Sequence, residues 1–132
     1  MKILFIPDYT KSNPYQTLLK EALEKLGASV KLADELTFKD TLSLNRRDLD
    51  VLHIHWTHPL LSEKNKSSLI SSIFKSIIKI LIIKTKGIKI IWTVHNLVNH
   101  ETAGYRLELF FNRFLAAMSH KIIAHSNRCK NI

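Results

Sequence analysis

Two histidines and one carboxylate follow a segment of the chain that is rich in β-branched residues. His95 and Asn96 come directly after a run that ends at Val94, and His100 and Glu101 lie a few residues further on. An imidazole can orient or deprotonate a hydroxyl group near neutral pH. A carboxylate in the same loop can act as the base for such a hydroxyl, or it can cap the helix that follows. His95 and Glu101 are therefore the candidate catalytic pair.

Other polar and aromatic residues lie at or just beyond the ends of the predicted strands, or at the start of the helix that follows. In parallel sheets ligands bind beyond the carboxyl ends of the strands, so these positions are candidates for substrate binding. They are Asp8, Tyr9, Asn13, Tyr15, His55, His58, Asn96, His100 and Ser126. The two tryptophans, Trp56 and Trp92, are more typical of core positions than of sugar-binding surfaces.

Two histidines in the third predicted strand could in principle bind a metal. His53 and His55 lie two residues apart and therefore point to the same side of that strand. A zinc site would need further ligands, and the single cysteine, Cys129, is remote in the sequence. A hydrogen-bonded core histidine is the better interpretation of His53, and we predict neither a metal nor a cofactor.

Apolar segments with strand and helix periodicity alternate along the chain. Three longer helices are predicted. The first begins after a cap at Asn13, with Gln16 at the capping-box position, and ends at Gly27. The other two span 63–85 and 107–118. A short helix is expected around 44–49. The strands are predicted at 2–7, 29–33, 51–56, 89–95 and 121–125.

This alternation predicts a single α/β domain over 1–132, with helices on both faces of a parallel sheet. The expected architecture is a Rossmann-like, doubly wound, three-layer α/β/α fold with strand order 3-2-1-4-5. In that order the ligand crevice would lie between the first and fourth strands.

Positive charge is concentrated in one part of the chain, which has a net charge of +9. Residues 51–100 carry seven lysines and a single acid, Glu63. The helix predicted at 63–85 has more apolar surface than packing on a sheet requires, and lysines interrupt it, which argues against a membrane span. Such a helix suits contact with an anionic membrane surface through Lys75, Lys79, Lys84 and Lys86.

The same helix could instead be covered by another part of the complete protein or by a dimer partner. Residues 1–7 form too short an apolar run for a secretory signal, and we expect a cytoplasmic protein in contact with the inner face of the membrane. A basic nucleic-acid-binding module is the least favoured alternative, because the lysines border an apolar helix and no nucleic-acid motif is present. We expect no nucleic-acid partner.

Four segments carry a family resemblance: 1–9 with 13–16, 50–56, 90–97 with 100–101, and 119–126. The third, Ile-Ile-Trp-Thr-Val-His-Asn-Leu, is the most specific. Together they resemble the N-terminal, acceptor-side domain of GT-B glycosyltransferases, in particular the retaining nucleotide-sugar-dependent enzymes of family 4. The resemblance implies transfer of a glycosyl group to a saccharide acceptor, often lipid-linked, in polysaccharide or glycolipid synthesis.

Residue roles follow from the resemblance in the same way. It implies that His95 reaches the donor sugar, that Ser126 ends the fifth strand, and that Asp8, Tyr9, Asn13 and Glu101 line the acceptor side. The chain departs from the family where 8–13 replace a Gly-rich turn.

The donor-binding second domain of the family is not present in these 132 residues, so the chain alone is expected to be inactive. The alternative is a non-catalytic, membrane-associated subunit of a split glycosyltransferase that works with a separate donor-binding subunit.

Overall fold

The computed structural model describes residues 1–61, 65–95 and 104–124. Within these ranges five strands alternate with four α-helices, and a short 3-10 turn follows the third strand. In chain order the elements are β1 Lys2–Ile6, α1 Pro14–Lys25, β2 Ser29–Leu32, α2 Phe38–Ser43, β3 Val51–Ile54, the turn His58–Leu60, α3 Lys66–Thr85, β4 Lys89–Val94, α4 Tyr105–Met118 and β5 Lys121–Ala124. The predicted α/β class is confirmed.

The five strands form one parallel sheet in the order β2-β1-β3-β4-β5. The predicted order 3-2-1-4-5 is therefore wrong, because β3 pairs with β1 and not with β2. The point at which the strand order reverses lies between β1 and β3. In doubly wound sheets the ligand crevice lies at this point. The crevice is therefore at the ends of β1 and β3, and not between β1 and β4 as expected above.

Burial explains why β3 lies inside the sheet and β2 at its edge. All four residues of β3 are buried, whereas Ser29 and Lys31 of β2 are exposed. A strand that is apolar on both faces is stabilised when strands and helices surround it, and a strand with polar alternation tolerates solvent. The central strand is therefore the one that brings His53, and His55 just beyond it, into the middle of the fold.

Helices cover both faces of the sheet, as predicted, but unequally. Leu19 and Leu23 of α1 pack on one face, against a cluster that includes Phe5 and Val30. The larger core lies on the opposite face, where α3 and α4 pack against the sheet. Its buried residues include Leu52, Ile54, Ile80, Ile90, Trp92, Val94, Phe111 and Leu115.

Local capping fixes where the helices begin and end. Asn13 caps α1 by accepting a hydrogen bond from the backbone N–H of Tyr15, and Gly27 follows the helix with a φ of 83°. The short helix expected around 44–49 instead spans Phe38–Ser43. There Thr37 and Asp40 form a capping box, a start signal that the sequence interpretation overlooked.

Candidate functional site

Aromatic and imidazole rings from three adjacent strands meet at the carboxyl edge of the sheet. Tyr9 follows β1, Trp56 lies two residues after β3, and His95 follows β4 directly. Tyr15, in the first turn of α1, completes a group of four partly exposed rings. We call these four residues the ring cluster. Because β1, β3 and β4 are neighbours in the sheet, the ring cluster lies at the crevice that the strand order defines.

Stacking determines the geometry of the ring cluster. The rings of Trp56 and His95 are nearly parallel, with an interplanar angle of 8° and centroids 4.1 Å apart. Tyr9 meets Trp56 edge-on at 5.0 Å, and Tyr15 meets His95 edge-on at 5.4 Å. Edge-to-face and parallel contacts at these distances are favourable for aromatic pairs. The cluster is thus a preformed apolar surface that includes one titratable imidazole.

His55 lies behind this surface. Its side chain is fully buried, with its ring centroid 6.2 Å from those of both Tyr15 and His95. It stacks on His53 at 4.2 Å, and Phe5 meets it edge-on at 4.6 Å. His55 therefore supports the ring cluster from inside the fold, whereas the sequence predicted that it would contact the substrate.

His53 is a core histidine, as its mid-strand position predicted. A hydrogen bond of 2.8 Å links its Nε2 to Oγ1 of Thr93 on β4. Burial, and secondarily the charge of His95, lowers the pKa of His53 from 6.5 to about 4. The ring is therefore neutral at physiological pH and joins β3 to β4 beneath the ring cluster.

The loop after β1 is held by hydrogen bonds that position Tyr9 and Tyr15. Gln16 is completely buried; its Nε2 donates to the carbonyl of Pro7 at 2.7 Å, and its Oε1 accepts from the N–H of Tyr9 at 2.6 Å. The predicted capping-box role of Gln16 is wrong, because the N–H of Asn13 donates instead to the carbonyl of Tyr9. Gln16 therefore positions the loop after β1, a role that the helix-start pattern did not predict.

Asp8 and Asn13 make local hydrogen bonds in the same loop. The Asp8 carboxylate accepts from both the N–H and the hydroxyl of Thr10, at 3.0 and 2.7 Å. These bonds lower the pKa of Asp8, first through the backbone contact and then through the hydroxyl. Asp8 is therefore ionised at neutral pH, and it lies next to Tyr9 at the edge of the crevice.

Two buried polar residues on α4 were missed by the sequence interpretation. Glu108 and Asn112 lie one helical turn apart on the buried side of α4, which also carries Phe111 and Leu115. Helix α4 begins after the loop that follows β4, so Glu108 lies in the half of the helix nearer the carboxyl edge of the sheet. Their position inside an otherwise apolar stripe of the helix was the feature of the sequence that could have identified them.

Several predicted site residues lie outside the described part of the chain. They are Asn96, His100, Glu101 and Ser126. His58 begins the 3-10 turn after β3, but its side chain is not among those described. Among 1–61, 65–95 and 104–124 no group of three or more His, Cys, Asp or Glu residues is arranged to hold a metal ion.

The lysines expected to contact a membrane differ in their surroundings. Lys75 is exposed on α3. The ammonium of Lys79 donates to the carbonyl of Leu36 and that of Lys84 to the carbonyl of Met118, both at 2.9 Å. Lys86 donates to three carbonyls around the end of α2, those of Thr41, Leu42 and Leu44. Three of the four lysines thus tie α3 to its neighbours.

Comparison with protein-family models, with curated proteins and with solved structures gave no match for this chain. Within the described ranges no helix combines the length and the apolar character needed to cross a bilayer.

Proposed function

We propose that this chain is the acceptor-side domain of a nucleotide-sugar-dependent glycosyltransferase, with the ring cluster as its saccharide-binding surface. The parallel stack of Trp56 on His95 at the carboxyl edge of the sheet is the observation that carries the proposal. Aromatic faces bind the apolar faces of sugar rings, and polar groups at the rim fix the orientation of the ligand. Here Asp8 and the two tyrosines supply that rim.

His95 is the proposed catalytic residue. Its imidazole is partly exposed and belongs to the surface that the saccharide would contact. An acceptor hydroxyl placed against it can donate its proton to the imidazole while its oxygen attacks the anomeric carbon of the donor sugar. The bond from that carbon to the nucleotide phosphate breaks, and the nucleotide leaves with the electron pair. Glu101, the second candidate base, remains a proposal from the sequence.

The nucleotide sugar would be held mainly by a second domain or a separate subunit that closes over the ring cluster. This arrangement would place the transferring carbon between the two halves, where water is excluded. Under this proposal the described sheet positions the acceptor and the catalytic imidazole, and no further cofactor is required.

We also propose that α3 and α4 hold the domain against an anionic membrane, where lipid-linked acceptors reside. Ile70, Phe74 and Leu81 lie on one side of α3 and are 50%, 64% and 44% exposed. On α4, Phe110 lies exposed on the same side as Arg106 and Arg113. Neither helix presents an exposed carboxylate among its described residues. Exposed apolar side chains bordered by basic ones are typical of interfacial helices.

The proposed function is tested by a glycosyl-transfer assay with a panel of labelled nucleotide sugars and lipid-linked saccharides. We expect no transfer by the chain alone and transfer once the donor-binding half is supplied. A His95→Ala variant of the combined enzyme should lose transfer to a much greater extent than acceptor binding, which the other three rings of the cluster still support. Transfer by the isolated chain, or full activity of His95→Ala in the combined enzyme, would contradict the assignment.

A further inference from the structure

Basic residues gather at the amino edge of the sheet, the edge opposite the ring cluster. Because all five strands are parallel, their first residues lie at this one edge. Lysines begin three of the strands, another lysine ends α1, and two arginines lie in the turn before β3. These six residues, which we call the basic edge, are Lys2, Lys25, Arg46, Arg47, Lys89 and Lys121.

Two carboxylates lie within the same surface, and they do not neutralise it. Asp48 accepts a hydrogen bond from the side-chain amide of Asn45, and Asp50 accepts one from the N–H of Lys2 at 2.7 Å. That hydrogen bond lowers the pKa of Asp50, and the nearby charges of the N-terminal amine, Arg46 and Lys2 lower it further. The basic edge therefore carries an excess of positive charge.

Only part of this charge holds the fold together. Lys2 Nζ donates to the carbonyl of Arg47 at 2.7 Å, and Arg46 Nη1 donates to the carbonyl of Gly87 at 2.9 Å. The other four side chains of the basic edge are exposed, and within the described part of the chain they make no hydrogen bond or ion pair. They are those of Lys25, Arg47, Lys89 and Lys121. These four cations are available to a partner.

The described residues of the carboxyl edge carry no comparable excess. Asp8 follows β1, Asp34 and Glu35 follow β2, and Lys11 and Lys39 lie near these acids. The charge of the domain is thus polarised along the strands. Such a field draws a negatively charged partner to the basic edge and not to the ring cluster.

Exposed apolar side chains border the basic edge and restrict its partner further. Met1, Leu26 and Leu42 are 64%, 84% and 63% exposed. The first two adjoin lysines of the basic edge in the sequence, and the carbonyl of Leu42 accepts a hydrogen bond from Lys86 at the end of α3. Protein interfaces combine apolar contacts with complementary charge. An acidic segment that also carries apolar side chains therefore suits this surface.

A nucleic acid or a bilayer fits the basic edge less well. Residues 1–2, 25–26, 42–50 and 86–89, which form most of this surface, contain no Phe, Tyr or Trp on which bases could stack. Helices α1 and α3 reach this edge with their carboxyl ends, where the helix dipole disfavours phosphate groups. The exposed apolar side chains come from separate segments and do not form the continuous apolar face that is typical of helices in a bilayer interface.

We propose that the basic edge binds an acidic segment of a partner protein. The edge crosses five strands, or ~19 Å at the usual strand spacing, and an extended segment of about six residues covers that length. Carboxylates of the segment pair with the four exposed cations, and its apolar side chains pack on Leu26 and Leu42. The ring cluster stays accessible at the opposite edge, so this inference does not depend on the proposed function.

A fluorescein-labelled peptide of glutamates interspersed with leucines is a suitable probe. We expect saturable binding by fluorescence anisotropy, with backbone-amide NMR shifts at 44–50 and 86–89. The same peptide with lysines in place of the glutamates should not bind. The affinities are compared at one fixed salt concentration, because screening weakens contacts between exposed charges.

Charge reversal at the basic edge should weaken this binding. In the double variant Arg47→Glu with Lys89→Glu we expect the affinity for the acidic peptide to fall by about tenfold or more. The matched control, Lys11→Glu with Lys39→Glu, changes the net charge equally at the carboxyl edge and should bind almost as the wild-type chain does. None of these four side chains makes a described hydrogen bond, and thermal melting checks that both variants fold.

Equal weakening in the two double variants would show that only net charge matters and would overturn the proposal. Absence of saturable binding by the acidic peptide, or shifts confined to α3 and α4, would also overturn it. An oligothymidylate and anionic liposomes are tested on the same variants. If either binds more tightly than the peptide, and the basic-edge variant loses that binding, the surface belongs to a nucleic acid or a membrane instead.

Discussion

The indole of Trp56 stacks on the imidazole of His95 with their planes 8° apart and their centroids 4.1 Å apart. The contact joins the carboxyl ends of β3 and β4 and fixes the orientation of a partly exposed histidine. An imidazole held in this way is preorganised for contact with a ligand, so less conformational entropy is lost on binding. The ring cluster built around this pair is the basis of the proposed function.

Replacing Trp56 with Ala should weaken saccharide binding by about two- to tenfold, because an aromatic pair contributes ~0.5–1.5 kcal/mol beyond its buried area. Titration of the saccharide followed by NMR measures the change. Phe74→Ala removes a more exposed ring from α3, which does not contribute to the ring cluster, and should leave the affinity unaltered. Equal losses in the two variants would argue against the ring cluster as the binding surface.

His53 should make the fold sensitive to acid. Its pKa is lowered from 6.5 to about 4, first because burial disfavours the charged ring. Between these two pH values the unfolded chain binds a proton at this position and the folded chain does not. The free energy of unfolding should therefore fall as the pH falls, by roughly 3 kcal/mol across the window. Urea unfolding at a series of pH values measures this slope.

A His53→Gln variant can still hydrogen-bond to Thr93 but cannot titrate, so its contribution to the slope should disappear. Thr93→Val is the matched control. It removes the hydrogen bond but leaves His53 buried, and should retain most of the pH dependence. An unchanged slope in His53→Gln would show that other groups cause the acid sensitivity.

Gln16→Leu should destabilise the chain by about 1–3 kcal/mol, because it leaves the carbonyl of Pro7 and the N–H of Tyr9 without their buried partner. Thermal or urea unfolding measures the loss. Thr17→Ala removes a weaker, partly buried bond to the carbonyl of Thr10 and should cost less. A neutral Gln16→Leu variant would contradict the view that this side chain organises the loop.

The sequence predicted the α/β class of the fold, and the strand order could have been predicted from it as well. The run Val51–Ile54 is apolar apart from His53, whereas Ser29–Leu32 alternates with polar residues. That contrast distinguishes a central strand from an edge strand, but the predicted order did not use it. Strands that are consecutive in the sequence are often neighbours in the sheet, which favours a pairing of β2 with β3. The structure pairs β3 with β1 instead, because β3 is buried on both faces and lies inside the sheet.

The site was predictable in location but not in its internal arrangement. Positions at strand ends correctly placed Tyr9 and His95 at the same edge of the sheet. The predicted order also made β1 and β4 adjacent, which is wrong, because β3 lies between them and Trp56 contacts both rings. Trp56 was expected in the core, yet it lies partly exposed and stacked on His95. Ring orientation and depth of burial depend on contacts between distant segments, and local spacing carries no information about them.

Membrane contact should depend on the outer faces of α3 and α4. We expect Phe74→Ser combined with Phe110→Ser to reduce sedimentation with anionic liposomes, because both side chains are more than half exposed and apolar. Arg113→Glu should reduce binding further at low salt. Lys31→Glu, on the exposed side of β2, is the charge-matched control. Binding that survives the double phenylalanine variant would place the membrane surface elsewhere.

The most direct test of the proposed function uses Trp56 as its own reporter. In a Trp92→Phe variant, with melting used to confirm the fold, Trp56 is the only indole in the chain. Its fluorescence is measured during titration with lipid-linked saccharides and, separately, with the same lipids lacking sugar. The account predicts a saturable change with the saccharide and none with the bare lipid. Identical responses to both, or no response to any saccharide, would contradict it.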